Sequence, residues 1–212
     1  YRMTDAVQRV HDENTVQTGL DGKNHDVRKS EITAAGKTFY DIKGHKYQKA
    51  VEALASRNII NGKSEHIFEP DSVITRAEFV ALIIRSFGES EEKTSLPFND
   101  VPEDAWYAPY VQTALRYGLI SEDKLFRPND NITREEVAKI MVNTVGLKEK
   151  ISVPDEFNLS FSDTSDISDW AKEYVRGCAY LKLVVGDENG KFNPKKTITR
   201  AEVAQILCNL IE

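Results

Sequence analysis

The chain has 212 residues, of which 40% are hydrophobic and 29% are charged, and its formal net charge is −6. This composition excludes a disordered chain, and the longest apolar stretch, residues 79–84, is far shorter than the roughly 20 residues of a membrane-spanning helix. The acidic balance argues against a nucleic-acid binder with a broad basic face, and two cysteines are too few for a disulfide scaffold or a four-cysteine zinc site.

Residues 1–38 form a leader that lies outside the pattern described next. The leader contains six basic and six acidic residues. Its sequence is compatible with a short helix over residues 4–10 and with a Gly- and Asn-rich turn over residues 20–24. We interpret the leader as the tail of an upstream region or as a linker.

After the leader, three short signatures occur in the same order three times. They are F-x-D (Phe39-Tyr40-Asp41, Phe98-Asn99-Asp100, Phe161-Ser162-Asp163), F-x-P (Phe68-Glu69-Pro70, Phe126-Arg127-Pro128, Phe192-Asn193-Pro194) and Ile-Thr-Arg (Ile74-Thr75-Arg76, Ile132-Thr133-Arg134, Ile198-Thr199-Arg200). Self-similarity at a period of 20–50 residues is typical of repeat architectures. The chain therefore divides into repeat 1 (39–88), repeat 2 (98–147) and repeat 3 (161–212).

Each repeat is predicted to contain two helices separated by a turn-rich loop, because its apolar residues recur at helical spacing in two places. The first helix carries Val51, Leu54 and Ala55, then Val111, Ala114 and Leu115, then Val175, Cys178 and Ala179; the second carries Phe79, Val80, Ile83, Ile84 and Phe87, then Val137, Ala138, Met141, Val142 and Val145, then Val203, Ala204, Leu207, Cys208 and Ile211. Asn58 and Gly118 occupy the position where a left-handed helix cap is common, whereas Leu183 does not fit that rule. The predicted fold class is all-α.

Each second helix is predicted to begin at a capping box, T-x-x-E. The three boxes are Thr75 to Glu78, Thr133 to Glu136 and Thr199 to Glu202. In such a box the threonine hydroxyl accepts a backbone N–H and the glutamate reaches back to another, which contributes about 1 kcal/mol to helix stability. The capping box accounts for the three glutamates.

An arginine follows each capping threonine, at the first helical position: Arg76, Arg134 and Arg200. The helix dipole disfavours a cation there by roughly 0.3–1 kcal/mol, so its occurrence in all three repeats indicates a role. A guanidinium beside unoccupied helix N–H groups would form a site for a carboxylate or a phosphate. A plain surface position is the alternative for any one of them.

These residues resemble the S-layer homology family, whose modules fasten surface proteins to Gram-positive-type cell walls. The resemblance rests on F-x-D, F-x-P and the T-R-A-E motif, which reads Thr75-Arg76-Ala77-Glu78, Thr133-Arg134-Glu135-Glu136 and Thr199-Arg200-Ala201-Glu202. It covers residues 39–212 and implies that they form one unit. In that unit three helix–loop–helix repeats surround a central three-helix bundle with pseudo-threefold arrangement, and grooves lie between neighbouring repeats.

The resemblance implies a non-catalytic anchoring module at the cell surface, in the cell wall or S-layer of a Gram-positive-type bacterium. The ligand would be an anionic secondary cell-wall polysaccharide attached to peptidoglycan, typically ending in N-acetylmannosamine that carries a ketal pyruvate. By motif position, Arg76, Arg134 and Arg200 would hold the carboxylate, with Asp41, Asp100 and Asp163 in the groove loops. S-layer neighbours are further candidate partners. The resemblance implies no cofactor, metal or membrane insertion.

The three repeats differ in the residues that would line the grooves. Trp106 and Trp170 occupy an aromatic position at the start of the first helix, where repeat 1 has Lys46. The tryptophans would serve either as sugar platforms or as packing at the edge of the core. The F-x-D aspartates likewise would either cap loops or face the ligand, and the two roles can coexist.

A turn in the loop differs as well. Gly62 and Gly186 occupy a position where the backbone can approach a ligand, whereas repeat 2 has Ser121 and a loop shorter by one residue. We therefore expect the three grooves to bind unequally.

Cys178 and Cys208 align with apolar helix positions, which predicts buried thiols, and the sequence leaves a disulfide between them open. The four histidines lack metal-ligand spacing, so no metal site is expected. Two other functions stay open at this point. A glycosidase would need a pair of carboxylates, which 34 acidic residues could supply, and a protein-interaction module would use the repeats as a docking surface.

Overall fold

The structure is a computed structural model that describes residues 17–18, 24–27, 32–86, 96–146 and 151–211. Its helices are α1 (Gln48–Ala55), α2 (Arg76–Ser86), α3 (Ala108–Arg116), α4 (Arg134–Gly146), α5 (Lys172–Leu181) and α6 (Arg200–Ile211), with short 3-10 turns at Tyr40–Ile42, Thr164–Asp166 and Asp169–Ala171. The predicted all-α class of the repeats is confirmed. In the leader, β1 (Gln17–Thr18) pairs antiparallel with β2 (Asn24–Val27), while the predicted helix over residues 4–10 and residues 20–23 of the predicted turn lie outside the described residues.

Each repeat supplies two helices, as the spacing of apolar residues predicts. The apolar positions of the first helix are buried at Val51, Val111 and Val175, and those of the second helix at Phe79 and Leu207. Fully burying a side chain of this size stabilises the fold by about 1.5–3 kcal/mol. Phe87 lies outside the described residues.

The first helix of every repeat ends at a residue with left-handed backbone. Asn58, Gly118 and Lys182 have φ angles of 55°, 72° and 55°. The next residue then donates its N–H back to the last turn of the helix, as Leu183 does to the carbonyl of Cys178 at 3.0 Å. Asn58 and Gly118 are the predicted caps. In repeat 3 the cap lies one residue earlier than Leu183, so the apparent exception was a misalignment.

The helices pack mainly between repeats. Helix α2 of repeat 1 packs on α3 of repeat 2, α4 packs on α5 of repeat 3, and α6 packs on α1 of repeat 1, while α2 also contacts α6. These contacts close a ring in which the first and last repeats are neighbours. A single repeat therefore buries its helices against its neighbours.

The backbone that precedes each second helix closes the same ring. Isolated β-bridges join Thr75 to Asn131, Thr133 to Thr197 and Thr199 to Val73, and the isoleucines between them donate N–H groups around the ring, from Ile74 to Ile198, from Ile198 to Ile132 and from Ile132 to Ile74. These contacts give the order of the repeats around the ring. The pseudo-threefold arrangement around a central bundle stays a prediction.

The core of each repeat begins with a pair of phenylalanines, one from F-x-D and one from F-x-P. The ring centroids are 5.4 Å apart for Phe39 and Phe68, 5.6 Å for Phe98 and Phe126, and 5.4 Å for Phe161 and Phe192. The F-x-P rings are among the most deeply buried side chains of the described residues. Each ring holds the loop between the two helices onto the core.

The two cysteines are buried thiols and do not form a disulfide. Burial raises the pKa of the Cys178 thiol far above its ordinary value, against a smaller opposing effect of Arg134. The Cys178 thiol donates to the carbonyl of Ala138, 3.4 Å away, across the contact between repeats 2 and 3. These residues therefore act as small apolar side chains, as predicted.

Candidate ligand-binding grooves

Three grooves lie at the junctions between repeats, and each one draws residues from all three repeats. We number each groove after the repeat that supplies its loop and second helix. Their volumes are about 420 Å³ for groove 1, 230 Å³ for groove 2 and 710 Å³ for groove 3. In that order, equivalent lining residues are Leu82, Ile140 and Ile206 on the second helix, Trp106, Trp170 and Lys46 from the next repeat, and Arg200, Arg76 and Arg134 from the preceding one.

Arg200, at the wall of groove 1, joins repeat 3 to repeat 1. Its Nε donates to the carbonyl of Phe68 at 2.9 Å and its Nη2 to the carbonyl of Asn61 at 2.7 Å. The guanidinium also stacks over the Phe68 ring, 4.6 Å from the centroid, and only 6% of the residue is exposed. Burial lowers the pKa of Arg200, and the neighbouring Glu78 carboxylate opposes that shift. Arg200 thus fixes the loop of the neighbouring repeat.

The other two arginines make the same junctions. The Nε of Arg76 donates to the Phe126 carbonyl at 2.9 Å, and the Nε of Arg134 donates to the Phe192 carbonyl at 2.7 Å. Each guanidinium lies just over 5 Å from the centroid of the same phenylalanine ring. The Nη2 of Arg134 further donates to Val185 at 2.5 Å. The arginine slot is therefore an inter-repeat contact at all three junctions.

Each arginine also faces the capping glutamate of the repeat it contacts. The closest N–O distances are 3.7 Å from Arg200 to Glu78 and 3.6 Å from Arg134 to Glu202, while Arg76 is in direct contact with Glu136. The glutamates close the predicted capping boxes in repeats 1 and 2, where Glu78 and Glu136 accept the N–H of their own threonine. One carboxylate therefore caps its helix and pairs with the neighbouring repeat.

The expectation that the first helix N–H groups are unoccupied is wrong. The N–H of Arg200 donates to the Ser72 carbonyl at 2.8 Å and that of Ala201 to the Pro70 carbonyl at 3.0 Å. The corresponding donors and acceptors at the other junctions are Arg76 to Asp130, Ala77 to Pro128, Arg134 to Lys196 and Glu135 to Pro194. The third N–H, on Glu202, donates to the hydroxyl of Thr199. The neighbouring repeat, not an anion, thus satisfies these helix ends.

The F-x-D aspartates hold the F-x-P turns. Asp41 accepts the N–H groups of Phe68 at 2.9 Å and of Glu69 at 2.7 Å, one on each carboxylate oxygen. Asp100 accepts those of Phe126 and Arg127, and Asp163 those of Phe192 and Asn193. Glu69, Arg127 and Asn193 have φ angles of 59°, 60° and 56°, a left-handed conformation that is unfavourable for most residues.

The chemistry of Asp41 reflects this clasp. Burial raises the pKa of the Asp41 carboxyl, but the N–H groups of Phe68 and Glu69 lower it by more, so the pKa lies below the ordinary value. The ionised form is therefore the one that the folded loop prefers. The clasp gives the aspartates the loop-capping role that the sequence left open beside ligand contact.

The two tryptophans are half exposed and border two of the grooves. Trp106 is 54% exposed beside groove 1 and Trp170 is 50% exposed beside groove 2. One edge of Trp106 packs against the rings of Tyr107 and Tyr110, with centroids 5.5 and 6.4 Å away, and the Arg85 guanidinium lies 5.7 Å from its centroid. Both alternatives for the tryptophans hold in part, since each ring packs on one side and leaves surface exposed on the other.

Gly62 and Gly186 line grooves 1 and 3, but the tight approach at these positions is to the protein itself. A Cβ on Gly62 would come within 2.4 Å of the Phe39 ring and 2.4 Å of the Ser64 carbonyl, and one on Gly186 would lie 2.6 Å from the Phe161 ring. Glycine is required for this packing. That these glycines also contact a ligand stays a prediction.

The sequence reasoning missed several cations that line the grooves. Lys63 and Arg85 are exposed residues of groove 1, on its loop and on α2. They lie outside the repeat signatures, and the sequence signal was weak: Lys63 follows Gly62, and Arg85 lies on the α2 face of Glu78, seven residues on. Equivalent cations are Arg127 and Lys139 in groove 2 and Lys46 and Lys196 in groove 3.

The three grooves differ in their charge balance. Groove 1 has three cations against the single carboxylate of Glu78, and groove 2 has three cations against two carboxylates. In groove 3 three cations face the three carboxylates of Asp187, Glu188 and Glu202. Groove 1 is thus the most favourable for an anion, although groove 3 is the largest.

Groove 2 is narrowed by contacts across it. The Nζ of Lys139 donates to the Ser121 hydroxyl at 2.5 Å, and the Nη2 of Arg127 donates to Glu136 at 2.6 Å. Burial and the positive charge of Arg76 lower the pKa of Lys139. The serine that replaces glycine in repeat 2 therefore contributes to the smallest of the three volumes.

In the part of the chain that the structure describes, no group of three His, Cys, Asp or Glu side chains is placed to hold a metal ion. Within the same residues, no helix is long and apolar enough to cross a membrane.

The model of the S-layer homology domain matches residues 38–80, 97–138 and 160–204. The chain is 40% identical over 177 residues to the amylopullulanase of Thermoanaerobacterium thermosulfurigenes (83% of this chain, 10% of that protein). It is 38% identical over 194 residues to the exoglucanase XynX of Acetivibrio thermocellus (91% and 17%), and 28% identical over 180 residues to the S-layer protein of Bacillus thuringiensis subsp. finitimus (84% and 22%).

The chain spans less than a quarter of the length of these three relatives. The match to three tandem domains covers more than half of the chain, and it coincides with the three repeats whose junctions form the grooves. The chain therefore belongs to the S-layer homology family of cell-wall and surface anchoring modules.

Proposed function

We propose that this chain anchors its protein to the cell wall by binding an anionic secondary cell-wall polysaccharide, with groove 1 as the principal site. In this proposal the anion is the carboxylate of a ketal pyruvate on a terminal N-acetylmannosamine. The observation that carries it is the combination, in groove 1, of an excess of cations with a half-exposed indole. A ligand that is both a sugar and an anion needs both.

The carboxylate is met by the exposed cations. The Nζ of Lys63 is 3.9 Å from Glu78, a distance that leaves the ammonium largely hydrated and able to pair with an incoming anion. The Nε of Arg85 donates to the Tyr110 hydroxyl at 3.2 Å, so the guanidinium is oriented beside the groove. Charge-assisted hydrogen bonds to a carboxylate are stronger than neutral ones, particularly from a guanidinium.

Arg200 acts from the wall of the same groove. Because its N–H groups already donate to two carbonyls, we assign its main contribution to holding the loop of Asn61 and to a fixed positive charge. Arg76 and Arg134 act in the same way in grooves 2 and 3. The F-x-D aspartates and Gly62 and Gly186 contribute by shaping the loops that line the grooves.

The sugar ring stacks on the exposed part of Trp106. An apolar ring face packs on an indole, and the hydroxyl and acetamide groups find polar partners in Asn61 and Asn129, which line the same groove. Groove 2 offers the same arrangement with Trp170 in a smaller volume. Groove 3 has Lys46 in place of a tryptophan and no excess of cations, so it binds this ligand weakest.

The role is attachment, not catalysis. The three relatives are a glycan-degrading enzyme by name in two cases and an S-layer protein in the third, and the chain covers only a small share of each. A module common to proteins with such different names fits an attachment function. We infer that the chain places a larger protein at the cell surface, outside peptidoglycan.

Co-sedimentation with purified walls tests the proposal. The chain should pellet with walls that retain their polysaccharide and stay in solution after the polysaccharide is removed chemically, and pyruvylated N-acetylmannosamine should compete. Equal sedimentation with stripped walls, or with walls that have lost only the pyruvate, would overturn the proposed ligand. Binding to stripped walls coated with S-layer protein would favour the interaction module, and release of reducing sugar would favour a glycosidase.

A further inference from the structure

The junction between repeats 2 and 3 contains a buried carboxylate that its two counterparts replace with a methyl group. Glu135 is the second residue of α4 and is 3% exposed, whereas the equivalent residues of α2 and α6 are Ala77 and Ala201. A buried carboxylate is costly unless it is paired and hydrogen-bonded. Its surroundings must therefore be organised around it.

The contacts of Glu135 converge on one residue of repeat 3. Its Oε2 accepts the N–H of Ser168 at 3.0 Å, and its Oε1 accepts the Ser168 hydroxyl at 2.7 Å. The Nζ of Lys195 donates to Oε1 at 2.7 Å and also contacts the Ser168 hydroxyl. One carboxylate thus fixes both the backbone and the side chain of Ser168.

Ser168 immediately precedes the 3-10 turn Asp169–Ala171, whose middle residue is Trp170. The Ser168 carbonyl accepts the N–H of Ala171 at 2.9 Å, which closes the turn. Trp170 borders groove 2, where the Nζ of Lys139 lies 5.9 Å from its ring. The position of Ser168 therefore sets where the indole lies relative to that cation.

We infer that Glu135 is a positioning residue for groove 2, which holds Trp170 in register with Lys139 through Ser168. This inference rests on the proposed function in treating Trp170 as a sugar platform. It makes groove 2 different from groove 1, where Ala77 takes the equivalent place and Trp106 is steadied instead by Tyr107 and Tyr110.

The positioning can be measured without ligand in a Trp106→Phe background, in which Trp170 is the remaining tryptophan. Glu135→Ala should raise the iodide quenching of Trp170 and shift its emission to longer wavelength. Glu135→Gln should stay close to the parent, because an amide oxygen can still accept from Ser168. Glu173→Ala removes an exposed carboxylate of α5 paired with Arg176, and as the control it should leave both signals unchanged.

Binding supplies the second readout. With Lys63→Ala and Arg85→Ala added to weaken groove 1, titration of pyruvylated N-acetylmannosamine should show about a fivefold loss of affinity for Glu135→Ala, with recovery in Glu135→Gln. A folded Glu135→Ala variant with unchanged quenching overturns the inference. If that variant does not fold, Ser168→Ala should give a smaller shift in the same direction, and no shift overturns the inference. Absence of binding in every variant overturns the proposed function of groove 2, and the quenching then decides on Glu135 alone.

Discussion

Grooves 1 and 3 are built from the same parts but present different surfaces. Both have an arginine from the preceding repeat that donates to an F-x-P carbonyl, and both have a glycine packed against an F-x-D ring. They differ in charge balance and in the residue from the next repeat, which is Trp106 in groove 1 and Lys46 in groove 3. The repeated signatures therefore build the frame, and the residues between them decide what each groove can bind.

The first prediction concerns the shared frame and has the largest expected effect. Arg200→Ala and Arg134→Ala should each lower the free energy of unfolding by about 3 kcal/mol, because each removes the donors of two loop carbonyls and the cation over a buried ring. Urea denaturation monitored by circular dichroism measures this loss. Similar losses for the two variants would support a common frame.

An Arg200→Lys variant serves as the control, since lysine keeps the charge but cannot donate to the carbonyls of Phe68 and Asn61 together. It should recover only part of the stability. Wild-type stability in Arg200→Ala would show that the residue is free for a ligand, as the sequence first suggested.

The helices and their caps could be predicted because they depend on local sequence. The apolar spacing around Val111 and the threonine of each capping box need only their own helix, and the structure has both. The role of Arg200 could not be predicted, because its partner Phe68 lies 132 residues earlier in the chain. Sequence reasoning treated the helix start as an end open to solvent, whereas ring closure brings another repeat against it.

The lining of the grooves was predictable only in part. Trp106 and Trp170 stood out as aromatic residues at a matching position, and they do border grooves 1 and 2. Lys63 and Arg85 did not, because exposed cations are common on any surface. What distinguishes them is their shared placement in one groove, which requires the fold.

The second prediction tests the glycines of the same two grooves. Gly62→Ala and Gly186→Ala should each cost about 2 kcal/mol of stability, with the larger loss at Gly62, where backbone carbonyls as well as the Phe39 ring block a Cβ. Thermal unfolding measures both. As a control, Gly146→Ala meets only the far end of the Ile151 side chain, 3.9 Å away, and should have little effect. Loss of binding without loss of stability would instead assign the glycines to ligand contact.

The third prediction concerns the surfaces that differ. Replacing Lys63 and Arg85 together by alanine should weaken binding of pyruvylated N-acetylmannosamine at least about tenfold, since hydrogen bonds to a charged group contribute ~1.5–3 kcal/mol. The stability should change little, because both side chains are exposed. Isothermal titration measures the affinity.

The matched control is the pair Lys46→Ala and Lys196→Ala in groove 3, which removes the same charge from a groove with no excess of cations. That pair should leave the affinity nearly unchanged. Equal losses in the two double variants would mean that the overall field of the protein, and not groove 1, governs binding.

The smallest expected effect is a pH dependence in the loop of groove 1. The pKa of Asp41 lies below its ordinary value of 3.8 because its carboxylate accepts two backbone N–H groups, despite the opposing effect of burial. A depressed pKa means that the ionised form stabilises the fold above about pH 4. That contribution is lost as the pH falls through the depressed value, so acid should loosen the turn at Glu69.

Asp41→Asn removes the titrating group, and the amide can accept only one of the two N–H groups at full strength. The variant should be less stable than the parent at pH 7, and the difference should shrink as the pH falls from about 4 towards 2. Asp71→Asn is the control, because Asp71 is exposed and paired with His45 outside the clasp. Parallel stability curves for the parent and Asp41→Asn would show that the clasp does not depend on the charge of Asp41.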